Sequence, residues 1–307
     1  MKKVLLSSVT AVALLSSGLW AAEANNAPQP KKVVKSNASS QSVSAKAVNN
    51  AKAAAKAQKS EVKVVKEAVD AVALTQEVLV ALAQNKKDEA LKKLEKAIGK
   101  LEVVMSHPKA PALIPLDASV VVSEFAGTAY DAENAVITSI ALLEKKRVQD
   151  ARLIVQTLKD EVDLITVNMP LASYPAALKL AAKFLHEGKV EEARRVLATA
   201  LSTFVEVDVV TPLGIVEAQE LIAAASQVAK TDKQLALAHL DAARAALKKA
   251  EALGYTSSSD TTYKMLNEAI DKIQKEIRGK NEAGKLFEDL IAKLKEFKDK
   301  AVKSFRK

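Results

Sequence analysis

The stretch Glu187-Gly188-Lys189-Val190-Glu191-Glu192-Ala193-Arg194-Arg195-Val196-Leu197-Ala198-Thr199-Ala200 decides how this chain reads. A short polar turn around Gly188 is followed by an alanine. Leu197 comes four residues later and Ala200 three beyond that, which places all three on one helix face. Nineteen residues after Ala193 the chain reaches Pro212-Leu213. The same phrase occurs three more times. Ala151/Val155/Leu158 is followed at the same distance by Pro170-Leu171, and Ala236/Leu240/Ala243 by Gly254-Tyr255, with Tyr255 at that distance. The first copy, Ala90/Leu94/Ala97, meets Pro115-Leu116 after 25 residues, as if six had been inserted around 106–111. Self-similarity at a near-fixed period signals stacked supersecondary units, none able to bury its apolar face alone.

Each copy reads as the second helix of an αα-hairpin. Val65, Val69, Val72, Leu79 and Leu82 place a stripe on a helix that turns at Asn85-Lys86-Lys87-Asp88. Further hairpins are predicted to join 129–143 to 150–164, 176–185 to 191–204, and 215–229 to 234–253. Gly188 suits the left-handed residue that ends a helix, and Thr231-x-x-Gln234 fits a capping box. Between hairpins lie β-branched segments ending at proline: Leu101 to Met105, Ile165 to Asn168, and Val205/Val207/Val209 alternating with Glu206/Asp208. Such runs read as extended linkers or as short strands, because proline keeps the residue before it out of the helical region. The expected fold is therefore mainly all-α: a helical bundle of repeated hairpins with Pro-containing extended joints at Pro115-Leu116, Pro170-Leu171, Pro212-Leu213 and Gly254-Tyr255. The lead alanines Ala90, Ala151, Ala193 and Ala236 are expected where helices approach closely.

The ends differ from the middle. Lys2-Lys3, an apolar run over 4–19 and Ala22-Glu23-Ala24 make a signal peptide over residues 1–24, which implies export to the periplasm. The 307 residues contain no cysteine, so disulfides, thiol chemistry and a lipoprotein anchor are absent. The formal charge is +9, and it is concentrated at the two ends. Residues 25–66 hold nine lysines against Glu61 alone, and 256–307 hold 13 basic and nine acidic residues. A nucleic-acid-binding domain carries its basic residues on a folded face, so this distribution argues against one. Residues 25–59, rich in Ala, Lys, Ser and Asn without bulky side chains, read as a disordered basic arm. A helical domain is expected over 60–255. Beyond it, 256–307 reads as an amphipathic helical extension: Tyr263, Leu266, Ile270, Ile273 and Ile277 step by three and four.

Little chemistry is legible. His107, His186 and His239 are scattered over separate units, and none has the partner spacing of a metal or catalytic motif. No nucleophile elbow or glycine-rich phosphate loop occurs. No catalytic, cofactor-binding or metal residue is therefore assigned, and the chain reads as a non-enzyme.

The ordered middle resembles the YfdX family of exported bacterial proteins. The resemblance is carried by Asn168-Met169-Pro170-Leu171-Ala172-Ser173-Tyr174-Pro175, by Ala181-x₂-Phe184-Leu185-x₂-Gly188-Lys189-x₂-Glu192-Ala193, by Val209-Val210-Thr211-Pro212-Leu213, and by Ala250-Glu251-Ala252-Leu253-Gly254-Tyr255. It implies a largely helical periplasmic protein tied to envelope or acid stress, with no catalytic residues to carry over. The leading expectation is a stress-associated protein binding an unknown protein or small ligand in grooves between hairpins, with self-association open. One alternative is an envelope-tethering protein held on anionic membrane or cell wall by its basic ends. Another is a tetratricopeptide-like scaffold, although spacings of 42 and 43 residues exceed that 34-residue unit.

Overall fold

The computed structural model describes residues 31–280 and 282–304. The predicted signal peptide lies outside them, as do residues 25–30 of the predicted arm. Among the described residues the order is α1 (Lys31–Glu61), α2 (Lys66–Ala83), α3 (Lys87–Met105), β1 (Leu113–Ser123), α4 (Ala129–Glu144), α5 (Val148–Val155), β2 (Glu161–Pro170), α6 (Tyr174–His186), α7 (Val190–Leu201), β3 (Val205–Pro212), α8 (Leu213–Val228), α9 (Lys233–Ala252), α10 (Thr261–Arg278) and α11 (Gly284–Ser304). The fold is mainly helical, with one small sheet.

That sheet organises everything else. It is an antiparallel meander in the order β1-β2-β3, with Leu113 opposite Pro170, Ser123 opposite Glu161, and Glu161 opposite Pro212. Its strands are not joined by tight turns. The α4–α5 hairpin connects β1 to β2 at one end, and α6–α7 connects β2 to β3 at the other. Hairpins α2–α3 and α6–α7 therefore meet at the end marked by Leu113, where α3 contacts α6 and α2 contacts α7. Hairpins α4–α5 and α8–α9 lie at the end marked by Ser123, where α4 contacts α9. One core packs Leu94, Leu101, Tyr174, Leu178, Leu185 and Leu197. The other packs Leu221, Ile222, Leu240 and Leu247 against Leu266, Ile270, Ile273, Phe287 and Leu290 of α10 and α11. The predicted seam of α10 is thus spent on docking.

The hairpin turns share one chemistry. After α2, α4, α6 and α9 the chain takes a left-handed residue: Asn85 (φ 59°), Lys146 (φ 58°), Gly188 (φ 79°) and Gly254 (φ 83°). The next amide reaches back five residues, from Lys86 to the Ala81 carbonyl, Arg147 to Leu142, Lys189 to Phe184 and Tyr255 to Ala250, at 2.8 to 2.9 Å. These are Schellman ends, which satisfy carbonyls the helix leaves open. The α8–α9 turn differs. Its N-cap is Asp232, whose side chain accepts from the Leu235 amide at 3.1 Å, so the cap predicted at Thr231 sits one residue later. Where α8 leaves the sheet, a Cβ on Gly214 would stand 2.7 Å from the Ala246 carbonyl oxygen. Only glycine allows α8 and α9 to cross that closely.

Three expectations are corrected. Residues 31–59 are not a loose arm. They form most of α1, which lies across α8, α9, β1 and β2. Ala47, Val48, Ala51 and Ala55 are buried, and part of this stripe joins Val162 and Leu213 in a third apolar cluster. Small side chains at spacings of three and four let the helix backbone approach the sheet, so bulk is not required. Second, residues 101–105 end α3 and are not an extended joint. Third, the second helix of the 129–164 hairpin stops at Val155, because the β-branched run Val162, Ile165, Thr166 and Val167 is drawn into the central strand.

Candidate functional site

Alternation along the strands gives the sheet two unlike faces. One carries Val120, Val122, Val162 and Leu164 and is covered in part by α1. On the other, cross-strand pairing aligns Val121, Asp163 and Val210, then Ser119, Ile165 and Asp208, then Asp117, Val167 and Glu206. Glu161 continues this acidic face. Lys159 reaches it, with Nζ 2.8 Å from Glu161 Oε1 and 3.6 Å from Asp163 Oδ2. Asp163 is buried, and its Oδ1 has no hydrogen-bond partner. Burial, reinforced by repulsion from Glu161 and Asp208, pushes its carboxyl up to about 6. Asp208 is raised as well, chiefly by burial.

Tyr255, which follows the left-handed Gly254, ties this face to the α8–α9 end. Its hydroxyl donates to Glu161 Oε2 at 2.6 Å and accepts the Asp160 amide at 2.9 Å. Burial holds the phenol well above its ordinary range. Asp160, one residue before β2, is directed differently. Its Oδ1 accepts from the Phe125 amide at 3.1 Å, and its Oδ2 lies 2.8 Å from Lys249 Nζ. Lys249 also stands 3.6 Å from Glu217 Oε1, and burial raises the Glu217 carboxyl.

Glu217 and Lys249 open into a groove of about 930 Å³ between α1, α8–α9 and the segment leading to α4. It is lined by Ser40, Gln41, Ser44, Phe125, Gly127, Gln234, Leu237, Ala238, Asp241 and Ala242 among others. The Phe125 ring folds over Gly127, where a Cβ would meet it at 2.7 Å. Ser40, at the groove wall, meets His239 behind it, both largely buried, with Oγ 2.9 Å from Nδ1. Burial lowers the imidazole's affinity for a proton. His239 is thus an interhelical fastener between α1 and α9. Among the described residues no group of three or more His, Asp or Glu side chains is arranged to hold a metal ion, and no helix is long and apolar enough to cross a membrane.

The predicted joints divide. Pro170 ends β2, and Pro212 ends β3 and caps α8, with Leu213 buried behind it. Both close a strand, but Pro212 opens its helix directly, whereas three residues, 171–173, separate Pro170 from α6. Pro115 does neither, because it lies near the start of edge strand β1, beside a register shift, with its carbonyl accepting the Val65 amide at 3.2 Å. An edge strand tolerates a residue without an N–H. Leu116 and Leu171 are half-buried and pack against the α2–α3/α6–α7 core. Tyr255 proves to be a charge-network residue as well as a joint. Ala90, Ala151, Ala193 and Ala236 are all buried, at 1% exposure or less. Sequence reasoning passed over Asp160, Glu161, Asp163, Glu217 and Lys249. The available signal was Glu161-Val162-Asp163-Leu164-Ile165, acids set inside a β-branched run.

The chain matches no curated protein. Among solved structures, YfdX of Salmonella Typhi is 19% identical, covering 50% of this chain and 94% of its own, with a TM-score of 0.34. The family model described as YfdX protein matches residues 71–210, from within α2 to within β3 and so including β1 and β2 with the hairpins on either side of them. Over residues 71–210, the chain is similar to the YfdX family.

Proposed function

We propose that this is a non-catalytic binding protein of the periplasm, associated with envelope stress, that holds a small ligand with an apolar body and an amine in the groove beside α9. The observation that carries the reading is the groove itself. Phe125, Leu237, Ala238 and Ala242 supply an apolar wall, while Glu217 and Asp241 supply acceptors. Few precisely placed polar groups on an apolar wall are what a small-molecule site needs, and an aromatic ring beside carboxylates suits an ammonium. The signal-peptide pattern and the absence of cysteine support export, and the YfdX resemblance supports the stress association. With α1 packed along the sheet, residues 31–59 give no support to tethering by a loose charged arm.

The test is thermal denaturation with hexylamine and hexanoate as probes. Hexylamine is expected to raise the melting temperature of the parent, and hexanoate to leave it unchanged. Ala238→Trp, which fills the groove, and Glu217→Gln should each abolish the hexylamine shift. Equal response to both probes, or an undiminished shift in Ala238→Trp, would remove the reading.

A further inference from the structure

Helices α1, α8 and α11 enclose a second cavity, of about 460 Å³, beside Thr211 near the end of β3. All of its lining lies outside residues 71–210, so the segment similar to YfdX does not supply it. Its floor is apolar and made of small side chains. Ala51 and Ala55 of α1 are buried there, and Val216 of α8 and Val302 of α11 complete it. Around that floor stand three carboxamides, Asn50, Gln58 and Gln219, with the carboxylates of Glu220 and Asp299 and the ammonium of Lys298. Among the described residues none of these polar side chains is engaged by another protein group. Glu220 and Lys298 line one cavity and still do not pair with each other. Polar groups spread over a convex surface meet only water. Here they converge, from three separate helices, on one concavity.

We propose that this cavity binds a short zwitterionic peptide, about two or three residues long, with small aliphatic side chains. Charges of both signs, left unpaired, select a ligand that carries both. Lys298 suits the terminal carboxylate, and Glu220 with Asp299 suits the terminal ammonium, as charge-assisted hydrogen bonds. A carboxamide both donates and accepts, so Asn50, Gln58 and Gln219 match the N–H and C=O of peptide groups. The alanine and valine floor admits methyl-sized side chains. No aromatic ring lines the cavity, which disfavours a stacked sugar or base. A free amino acid has no peptide group to offer the carboxamides. The volume also lies within the roughly 300–1,000 Å³ of small-molecule sites, with room for more than a single residue.

Isothermal titration calorimetry with trialanine tests this on the protein purified from expressing cells. Trialanine is expected to bind. N-acetyl-trialanine amide, which lacks both terminal charges, should bind at least about 10-fold more weakly, because its charge-assisted hydrogen bonds are gone. Lys298→Gln should weaken trialanine by about 10-fold and leave trialanine amide unchanged, which assigns the carboxylate to that lysine. Ala54→Trp, at an exposed position of α1 on the cavity wall, should abolish binding and leave the circular dichroism melt unchanged. Should that melt change, Lys298→Gln decides the matter, because its side chain holds nothing else in place. Ala238→Trp, which fills the groove beside α9, should leave trialanine binding intact and so separates the two sites. No binding of trialanine by the parent at millimolar concentration, equal binding of the capped peptide, undiminished binding in Lys298→Gln, or loss of binding in Ala238→Trp would each overturn the proposal.

Discussion

The α4–α5 and α6–α7 hairpins are built from one phrase and used in opposite ways. Both end their first helix on a left-handed residue with the same reach-back hydrogen bond, and both bury the lead alanine, Ala151 or Ala193. Beyond that they part. Helix α6 buries Tyr174, Leu178, Ala181 and Leu185, and α7 buries Leu197 and Ala200. In α5 the position of Leu197 is held by Val155, which is 51% exposed. The shared phrase specifies a turn and one close helix contact. Whether the hairpin enters a core depends on the residues around that phrase.

The sharpest break in the comparison is a matched truncation. Leu197→Ala is expected to cost about 2–5 kcal/mol in urea denaturation, as buried leucines do. Val155→Ala at the equivalent place should stay within about 0.5 kcal/mol. Similar losses at both positions would mean that α5 is packed in solution as tightly as α7.

The strand that joins the two hairpins contributes the next effect. The Asp163 carboxyl has its pKa raised from 3.8 to about 6 in the fold. The folded state therefore holds this proton more tightly than the unfolded state does. The stability that goes with it is present below about pH 4 and lost as pH rises to about 6, leaving a penalty on the order of 2–3 kcal/mol at neutral pH. Asp163→Asn should then be more stable than the parent at pH 7.5 and nearly level with it at pH 4. Equal midpoints at pH 7.5 would show that water reaches the carboxylate.

The lead alanines sharpen the comparison from the other side. Ala193→Leu and Ala151→Leu should each cost roughly 1–3 kcal/mol by overpacking, because both sites are buried although only one hairpin lies in a core. A neutral Ala151→Leu would show that α4 and α5 are loosely apposed. The smallest effect belongs to the turns. Lys146 holds a left-handed conformation that glycine adopts without strain, so Lys146→Gly should gain about 1 kcal/mol and Gly188→Lys should lose as much. Thermal melts of the two variants check the pair.

The hairpins were legible because their turns repeat and their apolar residues keep a helical period, so burial of Leu94, Ala193 and Leu240 followed from spacing alone. The sheet was half legible. Val205, Val207 and Val209 alternate plainly, but the Glu161–Asp163 end of β2 reads as a helix tail until its partners are in place. Helix α1 was misread because lysine and alanine make a solvated arm and a close-packed helix from the same letters. Only the bed formed by α8, α9 and the sheet distinguishes them. The charge network was the least legible part. Asp160, Glu217 and Lys249 are separated by 57 and 32 residues, and no local pattern announces that they meet.

The meander has a consequence for how such a chain can lengthen or shorten. Each strand reverses direction, so each inserted hairpin changes ends, and hairpins touch the next but one in sequence instead of the next. Position therefore has parity. Losing one strand with its hairpin would send every later hairpin to the wrong end of the sheet, whereas losing two together would keep the remaining partners matched. Architectures of this kind should gain or shed units in pairs, and a chain with an odd change would have to find a new partner for every helix downstream.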